Sequence, residues 1–392
     1  MCCIMRPRSF IVFSGSNDRA IIAFLRALNT CGERAYIVAR TRDDHILHTC
    51  YARDVVYVRD EPSLDLETFT HCINKIRNRA GNRDLVIMPS SEYLNTFLLR
   101  YRAEIESLGC IIPLVNNDTY TLLTNKRTST SLFSNNSFEV PEEITALCNA
   151  QPPLIAKPKT NIGSDGKSLY PHFLMSSTEV SNFIKRYNTK EYFFQKYIKG
   201  QSIYLLFYIA RSTLDEVTWS QRNLLQQPDG KSMILSQAAS LHQTSFSTRV
   251  LELLRKKGFH GLGMIEIIQT LNRTVFIEMN PRIWGPIQFC LDQGVPILQA
   301  FIGEVLHDDP TCFLDRNIIE KPRKFYFWSG GLLEAWIKGQ RPVWHDSALS
   351  LPQLICTGLQ NDIYLRNDSW RCFLHELGML PRKRFNREQV QT

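Results

Sequence analysis

The chain has 392 residues, 44% of them hydrophobic and 21% charged. These are ordinary proportions for a globular protein of two or three domains, and they exclude a mostly disordered, collagen-like or coiled-coil chain. Lys and Arg number 46 against 38 Asp and Glu, a net charge of +8. That balance suits anionic ligands such as nucleotides, whereas a nucleic-acid-binding scaffold would rest on net charge alone, since the dense basic tract is confined to Arg382–Arg384.

The N-terminus, Met1-Cys2-Cys3-Ile4-Met5-Arg6-Pro7, has no apolar region after a basic start, so no signal peptide is expected. Cys2-Cys3 lacks the second signal that lipid anchoring needs. No apolar run reaches the roughly 18 residues of a membrane span. The 11 cysteines are scattered without paired C-x-x-C motifs at zinc spacing, which reads as reduced thiols in a cytoplasm. Strands are expected at Phe10–Phe13, Tyr36–Ala39, Val55–Val58 and Leu85–Met88, and helices near Arg19–Asn29, Glu67–Arg79 and Glu92–Leu108. Alternation of this kind predicts crossover units on a parallel sheet. The Gly15 turn lacks the spacing of a dinucleotide fingerprint. A helix near Thr119–Phe133 follows, then a seam near Pro152-Pro153. From Leu154 to about Glu304 the pattern is mainly strands, with one helix near Phe246–Lys257. The last part, Arg323–Arg384, is aromatic and mixed. Its Trp328, Trp336, Trp344 and Trp370 read as core residues.

Three segments carry chemistry. In the first, two apolar β runs, Gly261–Ile268 and Thr274–Asn280, flank Asn272 as a hairpin would. Symmetry about Asn272 sets Glu266 opposite Glu278, with Cβ atoms about 4.5–5.5 Å apart. Asn280 lies two residues on, on the same face. Two opposed carboxylates among Met264, Ile268 and Phe276 need a cation between them, and two carboxylates with an amide oxygen suit Mg²⁺. An exposed face with solvated Glu side chains is the bland alternative. Arg282, held by Pro281 and Trp284-Gly285-Pro286, can grip a carboxylate or phosphate, or simply bridge to a Glu. The second segment, Leu154–Ser168, is a short strand with Lys157 near its end. A loop containing Gly163, Ser164 and Gly166 follows, able to close over phosphates with backbone N–H donors, though without P-loop spacing. The third, Tyr192–Ser202, is a strand breaking at Gly200, a place where backbone groups can meet a purine edge.

The ordered set of Lys-loop, hinge strand and acidic hairpin ending Ile277-Glu278-Met279-Asn280-Pro281-Arg282 resembles the ATP-grasp superfamily. The carboxylate–amine ligases and the biotin carboxylase and carbamoyl-phosphate synthase branch come nearest, over roughly Leu85 to Glu304. The resemblance implies an α/β fold in three parts. Residues 1–115 would form a Rossmann-like parallel-sheet pre-ATP-grasp domain, 116–310 the nucleotide-binding and catalytic module, and 311–392 an extension completing the substrate side. Lys126, in Thr124-Asn125-Lys126, then resembles the first nucleotide lysine and Lys157 the second. Gly163 to Ser168 would be the phosphate-covering flap, ordered when nucleotide binds. Gln195, Lys196 and Ile198 would hold adenine, and Gln201 the ribose. Glu266, Glu278 and Asn280 resemble the metal ligands, and Arg282 the residue that steadies an acyl phosphate. Arg222, before the Pro228-Asp229-Gly230 turn, resembles a basic substrate-side residue. Gln195 and Gln201 depart from the family's usual Glu; an amide still accepts hydrogen bonds.

The activity implied is ATP-dependent joining of a carboxylate to an amine, with amino acids among the candidate substrates, through an acyl phosphate, with ATP and Mg²⁺ and without nucleic-acid or membrane partners. Lysines, flap and metal would act by positioning and charge neutralisation. A biotin-type carboxylase and a non-catalytic ATP-binding sensor are the alternatives. The complete acidic triad speaks against the sensor, and the absence of a biotin-accepting motif against the carboxylase. A thioester on Cys290 is disfavoured by its apolar context.

Overall fold

The computed structural model describes residues 6–61, 63–145, 147, 150–159, 164, 169–230, 232–316, 323–345 and 349–379. The N-terminal part is a five-stranded parallel sheet in the order β3-β2-β1-β4-β5. Its strands are β1 (Arg8–Phe13), β2 (Ala35–Ala39), β3 (Val55–Val58), β4 (Asp84–Ile87) and β5 (Cys110–Ile111). Helices α1 (Asp18–Thr30), α2 (Leu66–Ala80), α3 (Glu92–Arg100) and α4 (Arg102–Ser107) connect them. Because such a sheet is covered on both faces, Phe10–Phe13 of β1 and Leu85–Ile87 of β4 are unbroken apolar runs instead of alternating. The strands lie where periodicity puts them. The expected long helix over 92–108 instead breaks at Tyr101, where the backbone leaves helical geometry.

Helices α5 (Asn117–Thr124) and α6 (Lys126–Ser134) replace the single helix expected there. Asn125 is extended, and its side-chain oxygen accepts from the N–H groups of Arg127 and Thr128. It therefore caps α6 and ends α5 in one stroke. That break puts Lys126 on the first turn of α6.

A small antiparallel lobe follows, ordered β6-β9-β7-β8, with β6 (Glu143–Ile144), β7 (Leu154–Pro158), β8 (His172–Leu174) and β9 (Tyr192–Lys196). Helix α7 (Ser177–Arg186) covers it and starts in a Ser176–Glu179 capping box. Leu154, Ala156, Leu174, Phe183 and Phe194 form its core. Pro152-Pro153 is not a seam: β6, before the prolines, pairs with β9 beyond them, so both belong to one lobe.

The large sheet runs β14-β13-β10-β11-β12-β15, with a short β16 beside β11. Its strands are β10 (Gln201–Ile209), β11 (Glu216–Gln226), β12 (Met233–Ala238), β13 (Gly261–Gln269), β14 (Thr274–Asn280), β15 (Phe325–Phe327) and β16 (Val343–Trp344). One face packs Ile203, Leu205, Ile265 and Phe276 against α5, α6 and α8 (Ser245–Lys256). On the other face Tyr204, Leu206, Tyr208 and Met264 meet α1 and the buried helices α9 (Gln288–Asp292) and α10 (Ile297–His307). The stretch expected to hold one helix therefore holds four, because α7, α9 and α10 join α8. No single helix among the described residues is long and apolar enough to cross a membrane. The bent pair ending in α10 has the composition but turns through 100° and lies in the core.

The C-terminal part adds α11 (Ser329–Ile337), α12 (Leu351–Asn361) and α13 (Trp370–Glu376). Its tryptophans divide. Trp328 and Trp344 pack against the core, whereas Trp336 and Trp370 are 55% and 49% exposed, contrary to the core reading. Both lie on short helices whose inner faces are already filled by smaller side chains.

Candidate active site

The acidic hairpin is the centre of the site. Strands β13 and β14 pair antiparallel, and Glu266 lies directly opposite Glu278. The pairing is not a single symmetric ladder. Near the turn, Ile267 faces Phe276 and Gln269 faces Thr274, and the register slips by one residue between Glu266 and Ile267. The extra residue is Ile277. Without that bulge the inner register would set Glu266 against Ile277 and turn Glu278 to the other face. The bulge thus re-aims Glu278 and also frees the Ile277 carbonyl.

That carbonyl accepts from Lys157 Nζ at 3.5 Å. Lys157 comes from β7 of the small lobe, 120 residues earlier in sequence. Ala156 and Leu154 of β7 face the lobe's core, so alternation turns Lys157 and Ile155 towards the large sheet. Gln195 of β9 pairs with Ile155 and shares that face. It is 1% exposed, and its Oε1 has no hydrogen-bond partner. A buried acceptor of this kind is costly unless a ligand donor completes it.

Glu266 accepts from Ser202 Oγ at 2.7 Å, and Ser202 accepts from Asn223 Nδ2 at 2.7 Å. Asn280 Nδ2 donates to Glu278 at 2.9 Å, and Arg282 donates to Asn280 Oδ1 at 3.4 Å and to the Ile283 carbonyl at 3.1 Å. Burial and the charge of Glu278 push Glu266 up to about 7, against Ser202, Lys157 and Lys126. Burial works on Glu278 too, but Lys126, Lys157, the Asn280 hydrogen bond and Arg282 hold it below the usual carboxylate range. Burial pulls the Lys157 ammonium down to about 8, opposed by Glu278, reinforced by Lys126 and opposed again by Glu266. Burial, Glu266 and Glu278 raise the Tyr204 phenol well above its usual value, against Arg19 and Arg282. Tyr204 is paired with Glu266 across β10 and β13, so all these charges share one chamber.

The site therefore gathers Lys126, Lys157, Glu266, Glu278, Asn280 and Arg282, all expected from the sequence. It does not gather Arg222. Strand alternation decides this: Arg222 pairs with Ile203, on the face opposite Ser202 and Tyr204, and donates to Gln237 at 2.6 Å. Gln201 begins β10, and its amide donates to the Asn223 carbonyl at 2.6 Å and to the Ser202 carbonyl at 3.1 Å. Lys196 is exposed, with its ammonium 3.9 Å from Glu142, and Ile198 is half-buried just beyond β9. Gly163 and Gly166 lie outside the described residues; the Ser164 N–H donates to Glu191 at 2.6 Å. Ser202, Asn223 and Tyr204 are site residues that sequence reasoning passes over. The available signal was the period of two in β10, which puts Ser202 and Tyr204 on one face.

The donor set is all oxygen: two facing carboxylates and an amide. No group of three His, Cys, Asp or Glu side chains forms a metal site among the described residues. Two carboxylates that leave positions for phosphate oxygens and water fit Mg²⁺, which is rarely caged by protein alone. Lys126 and Lys157 beside the pair, with the orphaned Gln195 acceptor on the same face of the small lobe as Lys157, fit a nucleotide.

No family model and no curated protein matches this sequence. Solved structures do match. The biotin carboxylase domain of 2-oxoglutarate carboxylase from Hydrogenobacter thermophilus, in complex with MgADP, ADP and bicarbonate, is similar at TM-score 0.56 and 15% identity, over 75% of this chain and 69% of that one. An L-amino acid ligase from Bacillus licheniformis is similar at TM-score 0.56 and 12% identity, over 82% and 79%. The ADP complex of purK, an N5-carboxyaminoimidazole ribonucleotide synthetase, is similar at TM-score 0.53 and 15% identity, over 75% and 74%. The small lobe closing over the large sheet, behind a parallel-sheet domain, is the architecture these proteins share with the chain, which thus has the ATP-grasp fold.

Proposed function

We propose that the protein is an ATP-dependent carboxylate–amine ligase that works through an acyl phosphate. The observation that carries this reading is the bulged hairpin. It sets Glu266 against Glu278 and offers the Ile277 carbonyl to a lysine from the opposing lobe. Burying two facing carboxylates has a cost that metal binding offsets. Mg²⁺ held by Glu266, Glu278 and Asn280 would neutralise the phosphates of ATP. Lys126 and Lys157 stand where they can orient those phosphates. Gln195, with the hinge backbone at Lys196 and Ile198, would take the adenine edge. Gln201, its amide nitrogen already engaged, keeps its carbonyl oxygen for a ribose hydroxyl.

In the reaction, a carboxylate oxygen attacks the γ-phosphorus and ADP leaves. Arg282 then lies beside the metal ligands to stabilise the acyl phosphate. An amine attacks the acyl carbon, phosphate departs, and the amine loses a proton. The protein's share is positioning and electrostatics. Cys290 is an unsuitable nucleophile, since burial and Asp292 push its thiol well up. The same reading places the enzyme in the cytoplasm; the eight described cysteines are unpaired.

ADP release from MgATP, screened against amino acids and polyamines, tests the proposal. Release that depends on a small amine supports ligation. Release that needs bicarbonate and biotin reassigns the protein as a carboxylase. MgATP binding without turnover under every condition makes it a sensor.

A further inference from the structure

Arg19, on the first turn of α1, is a charged neighbour of Tyr204 that the proposed chemistry does not use. It is half-buried. Its Nη1 donates to Tyr326 Oη at 2.9 Å and to the Met233 carbonyl at 3.2 Å. The Trp328 ring stacks on it, 3.7 Å from guanidinium carbon to ring centroid. Gly285 packs against it so closely that a Cβ there would come within 2.9 Å of Cζ and Nη2. Among the described residues no carboxylate lies within ion-pair distance of Arg19, and none of its hydrogen bonds uses Nε or Nη2. Glu376 is nearby but accepts from Trp328 Nε1 instead.

Two other arginines show what is missing. Arg26, two turns along the same helix, sets Nε and Nη2 on the two oxygens of Asp368 at 2.7 and 2.9 Å. Arg366 also grips both oxygens of a carboxylate, Asp292, through Nη1 and Nη2 at 2.9 and 2.6 Å. A part-buried guanidinium with its forked edge unfilled has given up hydration without a carboxylate in direct contact; Glu376 acts on it only at longer range. Arg19 is also joined to the reacting centre. Gly285 is three residues beyond Arg282, the adjacent Asn17 donates to the Ile283 carbonyl at 3.1 Å, and Tyr204 stands among Glu266, Glu278, Arg282 and Arg19.

We infer that the Nε–Nη2 edge of Arg19 binds a carboxylate of the amine substrate, which makes that substrate an amino acid. The fork fits a carboxylate or a phosphate in the same bidentate way; with Lys126 and Lys157 already assigned to the phosphates of ATP in the ligase reading, the carboxylate is the group left for it. The inference rests on the ligase reading above. Calorimetry on the full chain with saturating MgADP, titrating the common L-amino acids and then the α-amide of each one that binds, tests it. At least one acid should bind roughly 10- to 100-fold tighter than its amide, the range expected for hydrogen bonds to a charged group. In Arg19→Gln that preference should collapse while MgADP affinity holds. Gly285→Ala, whose new methyl would push the guanidinium aside without backbone strain, should reduce it in the same sense. Absence of binding by every acid, equal binding of acid and amide, or a preference that survives in Arg19→Gln would overturn the inference. Loss of MgADP binding itself would instead count against the ligase reading.

Discussion

Glu266→Gln should make the metal-free protein more stable at pH 8 and leave its stability nearly unchanged at pH 4. Glu266 is the carboxylate that its surroundings penalise: burial and Glu278 raise it to about 7. Its acid form is therefore favoured in the native state. Below the unfolded value, near 4.3, the group is protonated in both states and contributes no difference. As pH rises through about 7 the native protein must ionise it against Glu278, and stability is lost. Two charges about 5 Å apart at an effective dielectric constant near 20 repel by about 3 kcal/mol. A rise to about 7, at about 1.4 kcal/mol per unit of pKa, gives a similar ceiling. Gln keeps an acceptor oxygen for Ser202, so a gain of about 2 kcal/mol at pH 8 is expected, and none at pH 4. Urea unfolding of wild type and variant in EDTA at both pH values measures it. The same variant should lose the stabilisation that MgADP confers on the wild type by mass action. A variant no more stable than wild type at pH 8 would refute the picture of two buried carboxylates pressed together.

Glu278→Gln should behave oppositely in stability. Lys126, Lys157, Asn280 and Arg282 hold the Glu278 carboxylate below its usual range despite burial, so its loss should cost about 1 kcal/mol at neutral pH while abolishing ADP release; denaturant midpoints and the ADP assay decide both points. Lys157→Ala should weaken ATP binding by at least about tenfold, and Lys199→Ala, on an exposed turn, should have little effect; equal affinities by calorimetry would move the nucleotide elsewhere. Hydroxylamine added with ATP and the true carboxylate should trap a free hydroxamate, and Cys290→Ala should retain turnover. Labelled carboxylate retained on the denatured wild type but lost from Cys290→Ala would establish a thioester.

The sequence alone determined the elements whose signal is local. Parallel strands such as β1 and β4 are short apolar runs, the hairpin around Asn272 is two such runs and a turn, and Lys157 sits near the end of a third. Periodicity and turn chemistry act over a few residues, so they can be read without knowing what lies opposite. Whatever depended on a distant partner was decided only in three dimensions. Arg222 was a candidate by its neighbours in sequence, but pairing with Ile203 turned it to the other face. Glu266 meets Glu278 as symmetry about Asn272 implies, yet it does so through a bulge at Ile277, which no single-strand pattern announces. The Asn125 cap and the role of Pro152-Pro153 depended on which of two local choices the surrounding packing accepted. Arg19 is the extreme case. Nothing in Asn17-Asp18-Arg19 marks a binding residue, because its meaning comes from Met233, Gly285, Tyr326 and Trp328, more than 200 residues away in the chain. A side chain's type is local, but its charge balance is set by every group the fold brings near it, and that sum exists only in the tertiary structure.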